Sequence, residues 1–297
     1  MIRPRPQPIV NALTIDVEDY FHVTAFARWI DPSSWGEFEQ RIEIGLRRIL
    51  DHLAAADVRA TFFVLGWVAR RRPRLVRAIV AAGHDIASHG DRHQLVTAQS
   101  RADFRADVRA ARAVLEDVVG QPVTAYRAPS FSIAPDRAWA FEVLVEEGYT
   151  IDSSVAVGRR QSCGHLAGSK VPFRLETRAG ALWEYPLPAV RVFGRSVPVG
   201  GGGYFRLFPY AWTRAALARI NSVGKPFAVY LHPWEFDPDQ PALSGPWLRR
   251  WRHRVNLRRT EPRFVRLLAD FRFAPLAESL REFTAKSSPP AAMPALS

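Results

Sequence analysis

The stretch ATFFVLGWVARRRPRLVRAIVAAGHDIAS, residues 60–88, decides the fold that the sequence predicts. Its apolar start, residues 60–65, is typical of a buried strand. Residues 73–82 are typical of a helix, because proline opens the segment and Gly83 closes it. Residues 84–88 have the pattern of another short strand. A strand, a helix and a strand in this order predict two parallel strands joined by a helical crossover.

The same alternation extends along most of the chain. Strand-like segments lie at residues 9–15, 125–127, 149–151 and 227–231, and helix-like segments lie at 37–53, 101–119, 135–147 and 209–223. We therefore predict an α/β fold with a parallel sheet, and the strands are numerous enough for a barrel. The alternation breaks at residues 183–199, which resemble proline-interrupted strands, and at the glycine run 200–203, which we expect to be a mobile loop.

Composition divides the chain into four segments. Residues 1–8 are rich in proline and arginine and form an N-terminal tail. Residues 9–240 form the main domain, and residues 241–285 form a C-terminal extension packed on it. Residues 286–297 have the composition of a disordered tail.

The charge balance bears on the class of partner. The 297 residues carry a net charge of +12, and the basic residues are almost all arginine. Such a balance fits nucleic acid or an anionic membrane surface. A general arginine bias on solvated helix faces explains it as well, and no nucleic-acid motif is present. We therefore predict no nucleic-acid partner.

Apolar runs and cysteine content bear on location. No run approaches the roughly 18 apolar residues of a membrane span, and the first residues lack the apolar stretch of a signal peptide. The lone Cys163 allows no internal disulfide, which fits a reducing compartment. We predict a cytoplasmic protein without a membrane span.

Polar clusters follow four of the predicted strands, at the edge where parallel α/β folds form their sites. The first contains Asp16, Glu18 and Asp19, and three acids in four residues repel one another unless a positive charge lies between them. In an extended chain, Asp16 and Glu18 point to one side and Asp19 to the other. The alternative is a solvated loop or a helix N-terminus.

The other three clusters centre on histidines and an arginine. His89 and His93 have the spacing that places two imidazoles on one face of a helical turn, as a zinc ion requires. Arg127 can hold a carboxylate by two hydrogen bonds. His232 can act as a general acid near neutral pH. Each cluster alone is compatible with surface or structural side chains, so the coincidence at one edge of the sheet carries the argument.

In chain order, the clusters resemble the five short motifs of the polysaccharide deacetylase family, carbohydrate esterase family 4. The resemblance covers about residues 9–235. The matching segments are TIDVED at 14–19, SHGDRH at 88–93, RAPS at 127–130, WEYP at 183–186 and LHP at 231–233. DVEDYF at 16–21, GGGYFR at 201–206 and YLHPWE at 230–235 are more similar to the deacetylases encoded beside exosortase-type exopolysaccharide clusters.

The resemblance implies a distorted (β/α)7-type barrel with a C-terminal extension, in which residues 9–240 are the deacetylase barrel. It implies a hydrolase that removes N-acetyl groups from the amino sugars of a polysaccharide or oligosaccharide. It also implies one divalent metal ion, with zinc as the expected ion. Recruitment to a membrane polysaccharide-synthesis complex is compatible with the subgroup.

The resemblance also implies a role for each motif residue. Asp16 is the catalytic base, Arg127 orients it, and His232 is the catalytic acid. The metal ligands are His89, His93 and a carboxylate. The expected substrate-binding residues are Tyr126, Pro129, Ser130, Trp183, Tyr204 and Trp234.

The first motif departs from the family. Many members have two adjacent aspartates, the second of which binds the metal, whereas Val17 occupies that place here. The ligand is then Glu18 or Asp19. We prefer Glu18, because it shares a strand face with Asp16.

Three other functions fit part of the pattern. A metal-assisted amidohydrolase acting on a small cyclic amide needs a closed pocket rather than an open cleft. A carbohydrate-binding protein with an inactive site conflicts with the presence of Asp16, His89, His93, Arg127 and His232. Nucleic-acid binding through the arginines has no motif to support it.

Overall fold

The computed structural model describes residues 9–156, 169–286 and 293–294. The strands are β1 (Asn11–Val17), β2 (Thr61–Val64), β3 (Asp85–Ser88), β4 (Ala125–Tyr126), β5 (Ile151–Asp152), β6 (Phe173–Thr177), β7 (Gly180–Glu184), β8 (Ala189–Val192), β9 (Arg195–Pro198), β10 (Ala228–Leu231), β11 (Phe273–Ala274) and β12 (Met293–Pro294). The helices are α1 (Ile42–Ala55), α2 (Gly66–Arg71), α3 (Pro73–Ala81), α4 (Arg101–Val119), α5 (Trp139–Glu146), α6 (Gly202–Leu207), α7 (Tyr210–Ser222), α8 (Trp247–Arg254), α9 (Leu257–Asp270) and α10 (Leu276–Lys286).

One large sheet organises the molecule. Its strands lie in the order β10-β1-β2-β3-β4-β5-β7-β6-β12, and β11 also pairs with β1. All neighbours from β10 to β7 are parallel, and β6 returns antiparallel to β7. The predicted α/β fold with a parallel sheet is therefore confirmed. Among the described residues the pairing does not close into a ring.

The central strands are buried on both faces, as expected of a parallel sheet covered by helices. Every residue of β1, β2 and β10 is buried. Helix α4 covers part of the sheet with the apolar face that its 3.6-residue period predicts, and a capping box at Ser100 and Asp103 opens it. Gly120 closes α4 at φ 70°, a left-handed backbone that favours glycine.

The glycine run at 200–203 differs from the mobile loop that the sequence predicts. Gly201 forms a bridge with Tyr230 of β10, and α6 begins at Gly202. A Cβ on Gly201 would lie 1.9 Å from the Tyr230 carbonyl oxygen. The glycine is needed for a close backbone approach that anchors the segment to the sheet.

The C-terminal residues take part in the sheet as well as covering it. In β11, Phe273 pairs with Asn11, and the hydroxyl of Ser279 in α10 lies 2.8 Å from the Tyr185 hydroxyl. Lys286 ends α10, and Met293 pairs with Leu175 of β6. The predicted tail at 1–8, the other residues of the predicted tail beyond 286, and Cys163 lie outside the described residues.

None of the described helices is long and apolar enough to cross a membrane.

Candidate active site

The predicted polar residues converge at one edge of the sheet. Asp16 and Glu18 lie at the end of β1, His89 follows β3, Arg127 follows β4 and His232 follows β10. These strands are near neighbours and run in parallel, so their carboxyl ends meet at the same edge. The end of each strand therefore delivers a polar side chain to a shared cleft.

Glu18 lies between two imidazoles at the bottom of this cleft. Its Oε1 atom is 3.0 Å from His89 Nε2 and 3.0 Å from His93 Nε2. All three side chains are buried, and one nitrogen or oxygen atom from each lies within 4.8 Å of the others. A carboxylate and two imidazoles on one point form the kind of ligand set that a catalytic zinc ion uses.

The hydrogen bonds of the histidines fit a cation at this point. His89 Nδ1 lies 2.8 Å from the Arg127 carbonyl oxygen and donates to it, so Nε2, 3.0 Å from Glu18 Oε1, is the nitrogen that would face a bound cation. His93 Nε2 is buried and has no hydrogen-bond partner among the residues that the structure describes. A buried nitrogen left in this way is what a metal ligand requires before the ion is bound.

The local backbone around the histidines differs from the helical turn that their spacing predicts. Residues 89–95 form an irregular loop in which Gly90 has φ 76° and His93 has φ 51°. The left-handed conformation at His93 is uncommon for a residue with a side chain, and such strain is concentrated at functional sites. The loop, rather than a helix face, brings the two imidazoles together.

Burial and charge act in opposite directions on Glu18. Burial raises the pKa of its carboxyl group, but the nearby imidazoles of His93, His89 and His232 outweigh it and hold the pKa well below its usual range. Glu18 is therefore anionic.

Asp19, the alternative metal ligand, points elsewhere. Its Oδ2 atom accepts hydrogen bonds from the backbone N–H groups of Arg41 and Ile42, at 2.8 and 2.9 Å, at the start of α1. Its Oδ1 atom accepts another from Tyr20. The Asp19 carboxylate thus caps the N-terminus of α1. The acids and histidines that cluster at the cleft include Glu18 and not Asp19.

Arg127 holds Asp16 from below. Its guanidinium is fully buried and donates to Asp16 Oδ1 at 2.6 Å, to Thr14 Oγ1 at 2.8 Å and to the side chain and carbonyl of Ser153. It also lies over the ring of Phe63, 4.1 Å from the ring centre. These contacts fix Oδ1 of Asp16 and leave Oδ2 facing the cleft.

His232 lies opposite, with a carboxylate behind it. Its Nε2 atom is 3.9 Å from Asp16 Oδ2 and 3.9 Å from Glu18 Oε1, and its Nδ1 atom is 2.9 Å from Glu235 Oε2. Burial lowers the pKa of His232, but the hydrogen bond to Glu235 and the charges of Glu18, Glu235 and Asp16 raise it to about 9. The imidazole is therefore a proton donor at neutral pH.

Glu235 and Arg206 support His232 and have no assigned role in the sequence analysis. Arg206 Nε donates to Glu235 Oε1 at 2.7 Å, and both side chains are buried. The Trp234 ring stacks on His232 at 5.3 Å and on His253 at 4.4 Å. The i, i+3 spacing of His232 and Glu235 is a local signal for their pairing, whereas Arg206 comes from a distant helix.

The expected substrate-binding residues divide into two groups. Ser130 and Trp234 line the cleft, which has a volume of about 490 Å³. The described lining residues do not include Tyr126, Pro129, Trp183 or Tyr204. Tyr126 is enclosed in the core against Phe104 and Tyr149, because its strand turns that face to the helices. Tyr204 stacks on Phe208 instead.

Family comparisons agree with the motifs. Residues 38–147 match the sequence model of the polysaccharide deacetylase family, and residues 153–281 match DUF3473, a domain of unknown function. Residues 38–147 are therefore similar in sequence to the polysaccharide deacetylase family.

A curated relative and two solved structures extend this result. A chitooligosaccharide deacetylase of Sinorhizobium fredii is 45% identical over 60 residues, which cover 20% of this chain and 28% of the relative. The chain thus spans less than a third of that protein. A structure assigned as a polysaccharide deacetylase from Mycobacterium smegmatis is similar at a TM-score of 0.64 and 20% identity, covering 100% of this chain and 96% of that one. The PuuE allantoinase is similar at a TM-score of 0.61 and 16% identity, covering 95% and 92%. At these identities the likeness of the structures shows the fold alone.

Proposed function

We propose that the protein is a metal-dependent deacetylase that hydrolyses N-acetyl groups on the amino sugars of a polysaccharide or oligosaccharide. One observation carries the proposal. Glu18 lies 3.0 Å from the Nε2 atoms of both His89 and His93, beside Asp16 and His232 in the same cleft. Metal-assisted amide hydrolysis needs a set of metal ligands, a carboxylate that acts as a base and a protonated imidazole that acts as an acid.

Glu18, His89 and His93 are the residues that would hold the ion, for which we propose zinc. When bound there, a divalent cation supplies Lewis acidity toward the acetamide oxygen and lowers the pKa of water. Three protein ligands leave positions open for water and substrate.

Asp16 is the proposed base. Its Oδ2 atom accepts a proton from the water whose oxygen attacks the acetyl carbonyl carbon. Arg127 binds Oδ1 at 2.6 Å, so the carboxylate cannot turn away from the cleft. Proton transfer by a positioned side chain contributes about 10²- to 10⁴-fold to a rate.

His232 is the proposed acid. Its Nε2–H faces the cleft and gives a proton to the amide nitrogen as the C–N bond breaks. The products are acetate and a free amino sugar. Asp16 Oδ2 and His232 Nε2 lie 3.9 Å apart, so the water that gives up a proton and the amide nitrogen that receives one can both lie within reach of this pair.

The motifs at 16–21, 201–206 and 230–235 support an exopolysaccharide or a related glycan as the substrate, as in the deacetylases of exosortase-associated clusters. The relative named as a chitooligosaccharide deacetylase supports N-acetylglucosamine as the sugar to test first. The proposed location is the cytoplasm.

Acetate release from N-acetylglucosamine oligosaccharides tests the proposal. We expect the full chain to release acetate, a chelator to stop release, and added zinc to restore it. Asp16→Asn should lower kcat by about 10²- to 10⁴-fold while the bound metal remains. His89→Ala should lose the metal itself. Acetate release that survives complete removal of metal would refute the mechanism.

The likeness to the allantoinase fold keeps a small cyclic amide as the rival substrate. Turnover of allantoin, with none of any N-acetylated oligosaccharide, would replace the deacetylase proposal by this one. Arg249 and Arg252 on the cleft rim favour a longer, anionic substrate over a compact neutral one.

A further inference from the structure

Helix α8 exposes an unusual surface beside the cleft. Of its eight residues only His253 is buried. Trp247 is 75% exposed, and Leu248 and Trp251 are each 50% exposed. Large apolar side chains on an exposed helix are costly in water, and a cluster of them indicates a surface that meets something other than water.

The exposed apolar side chains lie on the side of α8 away from His253, with Leu248 at the edge that meets the cleft. At about 100° per residue, Trp247, Leu248 and Trp251 fall within one arc of roughly 100°. His253, which packs on Trp234, lies on the opposite side of the helix. The apolar face of α8 is therefore its outer face, and its polar side chains flank that face.

Those flanking side chains are all cationic. Arg249, Arg250, Arg252 and Arg254 belong to α8, and the helix contains no acid. Within the described ranges, Arg250 and Arg252 form no salt bridge. Arg258, which lies outside α8, forms one with Asp239. An outward apolar ridge between rows of arginines has the charge and shape that fit the interface of an anionic bilayer.

A second segment extends the surface. The turn at residues 27–29 is exposed, and Trp29 is 44% exposed. Arg249 joins the turn to α8, because its guanidinium lies 5.4 Å from the centre of the Trp29 ring and donates to the Ala25 carbonyl oxygen. We call Trp29, Trp247, Leu248, Arg250 and Trp251 the rim surface.

We propose that the rim surface docks the protein onto a bilayer that contains anionic phospholipid. The tryptophans and Leu248 enter the headgroup region, and the arginines bind lipid phosphates. A glycan is the less fitting occupant, because a sugar chain is held in a groove and this ridge is convex. The proposal concerns lipid binding and stands apart from the proposed function.

Docking has a consequence for the cleft. Leu248, Arg249 and Arg252 line the cleft, as does Ala25 next to the turn at 27–29. The mouth of the cleft therefore opens at the membrane surface when the protein is docked. A substrate attached to lipid, or emerging from a membrane assembly, would reach the site without leaving that surface.

Vesicle flotation tests the proposal on the full chain without added substrate. We expect co-flotation with phosphatidylcholine vesicles that contain phosphatidylglycerol and little with phosphatidylcholine alone, and we expect salt to weaken it. Trp247→Ser with Trp251→Ser, and separately Arg250→Glu, should each weaken binding by about tenfold or more. Arg74→Glu on α3 is the matched control, because it makes the same charge change at an exposed arginine elsewhere.

Two further readouts decide the outcome. Far-ultraviolet circular dichroism and acetate release from a soluble oligosaccharide should stay at wild-type level in the Trp247/Trp251 variant, since neither residue lines the cleft. Equal loss of vesicle binding in Arg74→Glu and Arg250→Glu would overturn the proposal in favour of a general charge effect. Vesicle binding that survives the tryptophan changes, while binding to a soluble anionic polysaccharide is lost, would make the surface a glycan platform.

Discussion

Glu235 shows how much a single side chain contributes to the proposed chemistry. It accepts hydrogen bonds from both the backbone N–H and Nδ1 of His232, and the buried Arg206 fixes its other oxygen at 2.7 Å. The protonated imidazole therefore has one orientation, in which Nδ1–H donates to Glu235 and Nε2–H faces the cleft. Glu235 acts through His232, as a positioning residue.

Glu235→Gln should lower kcat by about tenfold to a hundredfold and leave KM and bound metal near wild type, because the amide keeps the hydrogen bonds from His232 and loses the charge. The amide oxygen can still accept from His232, whereas the amide nitrogen cannot accept from Arg206. Steady-state acetate release with metal analysis measures the change in kcat. Glu261→Gln is the matched control, since Glu261 lies 2.8 Å from His52 Nε2 in a similar pair outside the cleft. A rise in KM with unchanged kcat would show that Glu235 serves substrate binding instead.

Some residues of the candidate site are predictable from the sequence, and others are not. Glu18, His89 and His93 could be placed together from local spacing and from their positions after parallel strands. Arg206 could not, because it reaches Glu235 from α6 and no local pattern links them. The sequence could not predict that Tyr126 and Trp183 lie outside the cleft lining. Both lie on short strands, and the residue pattern of a short buried strand does not indicate which face meets the helices.

At the scale of elements, the bridge between Gly201 and β10 positions α6 and with it Arg206. A methyl group on Gly201 would lie 1.9 Å from the Tyr230 carbonyl oxygen and 2.6 Å from its ring, so the backbone would have to move. The alternation of strands and helices is predictable from hydrophobic period, but this contact is not, since it joins segments 29 residues apart through the backbone.

Gly201→Ala should destabilise the protein by about 1–3 kcal/mol, as overpacking of a tight contact does. Urea unfolding followed by circular dichroism measures the change. Gly203→Ala provides the comparison, because nothing lies within 4 Å of a Cβ at that position and alanine favours the helix. Equal stability of the two variants would mean that the bridge is not needed for folding.

At the scale of the whole molecule, a pair of acids buried between β5 and β7 makes stability depend on pH. Glu184 is fully buried and accepts from the Val155 N–H at 3.0 Å, and its Oε2 atom has no hydrogen-bond partner within the described chain. Burial and then the charge of Asp152 raise the pKa of Glu184 well above its usual value. The carboxyl group of Glu184 therefore keeps its proton to a higher pH in the folded protein than in the unfolded chain.

The unfolded chain releases that proton above about pH 4.3. Above that pH the folded state holds more protons than the unfolded state. The contribution of Glu184 to the free energy of unfolding is therefore complete at lower pH and is lost as the pH rises, by up to about 1.4 kcal/mol per pH unit. Glu184→Gln should remove the slope, so the variant gains stability relative to the wild type as the pH rises above about 4.3, the pKa of the unfolded chain.

Urea unfolding at several pH values measures this slope. Glu176→Gln, on the neighbouring strand β6 and 46% exposed, should leave the slope unchanged. Parallel stability curves for wild type and Glu184→Gln would show that the buried carboxyl group is ionised in the folded state.

Arg127 joins two sets of contacts through different parts of one residue. Its carbonyl oxygen accepts a hydrogen bond from His89 Nδ1 at 2.8 Å, and its guanidinium donates to Asp16 Oδ1 at 2.6 Å. If the end of β4 moves, the His89 imidazole and the Asp16 carboxylate therefore move in the same direction. The distance between the His89 ring and the Asp16 carboxylate therefore depends on the position of one residue, Arg127.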